Sequence, residues 1–190
     1  MNFLKKIFGL KKGKPATSNQ APIVAITQTT NFEKMLQFEI SRSTLIKEDA
    51  KSTLINDFNL LSSPNFGDDL LTLDEKKSLK LNTRMKIPKK VIAVLVEDFL
   101  DDETNPKDTI LNIVYSARHK IHLNKELEKI KELNIKNVKV LNAGNGAECD
   151  WCNSMHKKFI SSDTDYVALI NENCTCDYYR GLLIADIKIE

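Results

Sequence analysis

All four cysteines of this 190-residue chain fall between positions 149 and 176, as Cys149-Asp-Trp-Cys152 and Cys174-Thr-Cys176. Nothing constrains the fold more, because two tight sulfur pairs either bridge to one another or close around a single ion. A secreted disulfide framework spreads its bridges across a small domain, and the rest of this chain carries no cysteine. One C-x-x-C turn offers two thiolates to a tetrahedral zinc ion, at bond lengths of about 2.3 Å, and a returning pair completes the shell. The spacing therefore predicts one structural zinc on Cys149, Cys152, Cys174 and Cys176.

Two competing readings stay open at this point. The sulfurs form two disulfides or one redox-active C-x-x-C, although no thioredoxin-like strand-to-helix setting is expected before Cys149. Alternatively only some cysteines bind metal, and His156, four residues after Cys152, stands in for one. Hydrolytic zinc needs an open coordination position and a general base. Four thiolates leave no such position, and the H-E-x-x-H and zinc-deaminase patterns are absent.

Hydrophobic residues make up 42% of the chain and charged residues 28%, which excludes disordered and membrane-spanning classes. No signal-peptide pattern stands at the N-terminus, and no apolar run approaches the length of a membrane span, so a cytoplasmic protein is expected. The net charge of +2 conceals an asymmetry. Lys5, Lys6, Lys11, Lys12 and Lys14 carry the N-terminal tail, and removing them from the 28 basic residues leaves fewer than the 26 acids. The body gives no strong nucleic-acid signal. The tail interleaves those lysines with Phe3, Leu4, Ile7, Phe8 and Leu10. An amphipathic basic segment of this kind either contacts an anionic membrane surface or is a solubilising tail.

Pro15 and Pro22 among small polar residues predict a linker over 13–30, with Ile23 to Ile26 as a short edge strand. The Thr30/Glu33 spacing predicts a capped helix start, so the folded body is expected from Thr30. A second helix is expected over Leu45–Phe58, then a turn-rich loop over Ser62–Asp69. Thr72 and Glu75 predict a capping box ahead of a short helix through Leu81. Pro88 precedes Val91, Ile92, Leu95, Val96 and Phe99, a run that suits a helix better than a buried strand. Asn105-Pro106 opens a helical pattern through Leu133, in one piece or with a joint near His119–Asn124. The period then changes. Val138 and Val140 alternate with lysines as a strand, Gly144 and Gly146 make a turn, and Tyr166–Ile170 and Leu182–Ile189 read as further strands.

The expected architecture is α+β. A basic tail and linker (1–29) precede a mainly helical body (30–134), and a small β-rich zinc-knuckle module (135–190) packs on that body. From Ile113 to Arg180 the order Ala117-Arg118, a VKVL strand, Cys149/Cys152 and Cys174/Cys176 resembles the C-terminal segment of phage head-morphogenesis (Mu F-like minor head) proteins. That family has His-Pro before its C-x-C and Arg between the cysteines, where this chain has Asn171-Glu172 and Thr175. The resemblance implies a metal-bound module and a phage or prophage origin.

The function expected is a non-enzymatic, zinc-stabilised structural or protein-interaction protein. Its alternatives are a toxin-like hydrolase using Glu148, His156 or His119, and a membrane or nucleic-acid adaptor working through the lysine tail. Trp151 and the pair Tyr178-Tyr179, followed by Arg180, either form a recognition patch or cover the metal site.

Overall fold

The computed structural model describes residues 23–56, 69–142 and 148–187, with side chains from residue 31 onward. The basic amphipathic tail, most of the linker, the 62–68 loop and the Gly144–Gly146 turn lie outside the described residues.

Eight apolar or buried positions in the stretch after Asn105 recur at three- and four-residue intervals, and they form the longest element. Helix α5 (Pro106–Glu132) starts where the Asn105 side chain accepts from the Lys107 amide, with Pro106 at the first helical position and Lys129 and Lys131 in the last turn. It is one unbroken helix, so the expected alternative of a joint near His119 is not realised. Its first half, through Ala117, packs with α1 (Ile23–Arg42), α2 (Glu48–Asn56) and α4 (Lys89–Val94) around Leu36, Ile40, Leu54, Val91, Ile110 and Val114. Its second half contributes Leu123, Leu127 and Ile130 to a separate cluster with Val138, Val140, Tyr166, Ile170 and two of the cysteines. A small satellite core of Leu71, Leu81, Ile87 and Ile92 lies beside α3 (Leu73–Ser78).

Helix α1 starts at Ile23, seven residues before the expected cap, and takes in the Ile23–Ile26 segment expected as a strand. Thr30 and Glu33 are one helical turn apart inside α1, and the same T-x-x-E spacing that marks a cap also occurs within a continuous helix. The capping box at Thr72 is present. Glu75 donates its amide to Thr72 Oγ1 at 3.3 Å, and its carboxylate accepts from the Thr72 amide at 2.7 Å. The run after Pro88 divides. It is helical through Val94, Leu95 bridges to Ile46, and a 3-10 turn covers Glu97–Phe99.

After α5 the chain reverses at Asn134, whose φ of 58° lies in the left-handed region that asparagine tolerates. Strand β1 (Asn137–Leu141) is the centre of a three-stranded antiparallel sheet ordered β2-β1-β3, with β2 (Phe159–Ser161) and β3 (Leu182–Ala185) at its edges. Val138 faces Ile160 and Ala185, and Val140 faces Leu183. This alternation turns Val138 and Val140 onto α5 and leaves Phe159, Leu182 and Ile184 exposed.

A second strand expectation is corrected. Tyr166–Ile170 is the first part of helix α7 (Tyr166–Asn173), which the Asp165 side chain caps by accepting from Ala168 N at 2.9 Å. Its buried side chains, Tyr166, Val167 and Ile170, share a helical face, and five apolar residues are too few to separate that pattern from a buried strand. Between the two cysteine pairs the chain thus runs through the short edge strand β2 and then this helix. Helix α6 (Asp150–Met155) completes the order.

Candidate metal centre

Cys149 occupies the N-cap position of α6, in extended backbone, and Cys152 lies one turn on and is buried. Cys174 is the C-cap of α7, its amide donating to the Ile170 carbonyl at 2.9 Å, and Cys176 follows two residues later. Two short helices thus deliver one cysteine pair each. All four thiols are free, and their sulfurs lie within 4.8 Å of one another. Cys152 Sγ is 3.5 Å from Cys174 Sγ and 3.8 Å from Cys176 Sγ.

These separations decide what the cluster can do. A disulfide needs about 2.05 Å between sulfurs. A tetrahedral thiolate shell with bonds of about 2.3 Å places its sulfurs roughly 3.8 Å apart. The group is therefore compatible with a metal site.

Burial pushes Cys152 far up, reinforced by Cys174 beside it. Burial likewise pushes Cys176 to about 11, against a hydrogen bond from the Cys149 amide to its sulfur at 3.2 Å. Cys149 goes the other way. Burial alone would raise it, but hydrogen bonds from the backbone of Cys152 and Thr175 and from the Thr175 hydroxyl bring it down to about 6. Like-charged sulfurs this close disfavour further ionisation, and a cation among them removes that penalty.

Strand β1 precedes the C-x-x-C, which opens helix α6, but β1 is the centre of an antiparallel sheet and not part of a parallel strand-helix-strand unit. What differs from an isolated redox pair is the second cysteine pair within the same few ångströms. His156 is not among the four grouped ligands. Its Nδ1 accepts from the Asn142 amide at 3.2 Å.

Aromatic residues wall the cluster. Trp151 stacks on Tyr166 with centroids 6.1 Å apart, and the Tyr166 and Tyr179 hydroxyls are 3.0 Å apart. Tyr166 and Tyr179 are buried and Trp151 half-buried, so these three serve as cover. Tyr178 lies apart from that wall, with the Arg180 guanidinium 4.0 Å over its ring. His119 stacks on Tyr179 and its Nε2 bonds the Gly181 carbonyl at 2.6 Å. His119 and His156 are thus each engaged with backbone, and Ser116 donates to Glu39 at 3.0 Å.

Sequence reasoning missed the helical-body residues that reach this site. The Lys120 ammonium, fully buried, pairs with Glu39 and donates to Asn171 Oδ1 at 2.8 Å. Burial pulls its pKa below the ordinary lysine value, while Glu39 opposes that pull. The Asn142 side chain donates to the Cys152 carbonyl. Arg42 donates to the carbonyls of Cys174 and Cys176. No helix among the described residues is long and apolar enough to cross a membrane. No protein-family model, curated protein or solved structure matches this chain.

Proposed function

We propose that this chain is a non-enzymatic structural or protein-interaction protein whose C-terminal part is held by one zinc ion on Cys149, Cys152, Cys174 and Cys176. The observation that carries this reading is the convergence of four free thiols within 4.8 Å. Zinc suits a tetrahedral all-sulfur shell, imposes no geometry of its own and undergoes no redox change. Four thiolates saturate it and leave no place for a reacting water, so the ion acts as a staple. Binding free energy at such a site is folding free energy, and it acts here on two helices of six and eight residues that are too short to persist alone.

The working surface is then the outside of the stapled unit. The outer face of the sheet, with Phe159, Leu182 and Ile184 exposed, supports a protein partner. The order of Ala117-Arg118, β1, C-x-x-C and C-x-C supports a relation to phage head-morphogenesis proteins and a phage or prophage origin. Free thiols are in keeping with a reducing, cytoplasmic setting.

The test is metal analysis of the reduced protein with thiol titration before and after chelation. One zinc per chain is expected, with thiols that become reactive only once the metal is stripped. Cys149→Ser should lower metal content and thermal midpoint together. A wild-type protein without metal, or a Cys149→Ser variant with unchanged metal and midpoint, overturns the reading. A stoichiometric iron content would retain the site and replace the ion.

A further inference from the structure

Arg42 is the last residue of α1, more than a hundred positions from the cysteines in sequence, yet its guanidinium reaches their backbone. Nη2 donates to the Cys174 carbonyl at 3.1 Å and also to the Cys176 carbonyl. A C-x-C pair has a single residue, here Thr175, in which to turn both sulfurs toward one ion. Holding the Cys174 and Cys176 carbonyls on a common donor fixes that turn. A planar, rigid guanidinium suits this task, whereas an ammonium on a flexible stem does not.

Charge points the same way. Arg42 Nη1 is buried with no hydrogen-bond partner among the described residues. The neighbouring acid, Glu39, is already shared by Lys120 and Ser116. Arg42 itself is half-buried, and a cation enclosed to that degree gains from negative charge nearby. Four thiolates around a divalent ion bear net negative charge and supply it.

We propose that Arg42 is the positioning residue of the metal centre, fixing the Cys174–Cys176 turn for coordination and balancing the charge of the filled site. Metal binding and the docking of the α1 C-terminus are then one coupled event, an inference that rests on the zinc reading above. The ion fastens the helical body to the cysteine unit as well as closing the cysteine loops.

The experiment uses the full chain as wild type, Arg42→Gln and Arg42→Lys. Zinc affinity is read by competition with a chromophoric chelator, and thermal midpoints are taken with zinc and after its removal. Arg42→Gln is expected to weaken zinc binding by about ten- to a hundredfold. It should also lower the midpoint of the zinc-loaded protein more than that of the stripped protein. An unchanged affinity, or an equal fall in both midpoints, reduces Arg42 to an ordinary packing residue and overturns the proposal. Should Arg42→Gln fail to fold, Arg42→Lys is judged by the same two criteria, since it keeps the charge and loses the planar guanidinium. A wild-type protein that takes no zinc overturns the zinc reading and this one together. Tight wild-type binding unaffected by either substitution removes only the role of Arg42.

Discussion

At the scale of single residues, the wall of the cluster leaves no spare volume at Gly181. A methyl group there would stand 1.9 Å from Tyr179 Oη and 2.6 Å from Asn142 Oδ1. Tyr179 is buried and held between His119 and Tyr166, so its ring has no open space to retreat into. Gly181→Ala should therefore destabilise the protein by about 1–3 kcal/mol, the usual penalty for overpacking a filled interior. Denaturant unfolding measures it, and a variant within error of wild type would mean that the tyrosine pair is loosely held. The same residue scale explains why the two C-x-x-C sulfurs behave so differently. Cys149 sits at the end of a helix where amides and a hydroxyl reach its sulfur, while Cys152 is enclosed one turn further in.

Single elements here are short, and their ends matter accordingly. Helix α3 has only six residues and buries none of them, so its capping box is the main local support. Thr72→Ala removes the side-chain acceptor of that box and should cost about 1 kcal/mol, seen as faster amide exchange in α3 without change at the cysteines. Glu75 adds a pH dependence of defined sign. The Thr72 amide, and after it Lys89, hold its carboxyl below the ordinary value of 4.5. A depressed carboxyl contributes stability that is complete above its unfolded pKa and is lost as pH falls through the lower folded value. Amide protection factors in α3, taken relative to intrinsic exchange at each pH, should thus fall on acidification through and below 4.5 in wild type, and less so in Glu75→Gln. Equal acid response in the two proteins would remove Glu75 from the account.

For the whole molecule, α5 contributes buried residues to two hydrophobic clusters, and a buried polar group lies along it between them. Glu39 of α1, Ser116 and Lys120 of α5 and Asn171 of α7 join three helices there. Removing one charge from such a pair leaves the other buried and uncompensated. Lys120→Met should accordingly destabilise by about 3–5 kcal/mol, and adding Glu39→Leu should recover part of the loss. Unfolding of the single and double variants measures this, and a double variant less stable than Lys120→Met would show that the pair stabilises beyond mutual charge compensation. Either variant also probes whether the cysteine unit and the helical body unfold as one, because the pair spans both clusters.

Features that depend on neighbours in the chain were legible from residue order. The start of α5 at Asn105-Pro106, the Thr72 box and the alternation of β1 follow from local hydrogen bonding and side-chain period. The spacing of the cysteines singled out four residues that the fold brings together. Local pattern stopped short where two structures share a signature. The T-x-x-E spacing at Thr30 fits a cap or a helix interior, and YVALI fits a buried strand or one face of a helix. In each case packing chose, through α1 lying along α5 and through Tyr166 and Ile170 turning into the second cluster. Tertiary structure alone decided that Arg42, Glu39 and Lys120 belong beside the cysteines. Those contacts span from fifty to more than a hundred residues, and no local periodicity encodes a partner at that distance. Burial supplies the reason they form, since charged groups enclosed by two cores must find donors, acceptors or opposite charge wherever the fold brings them.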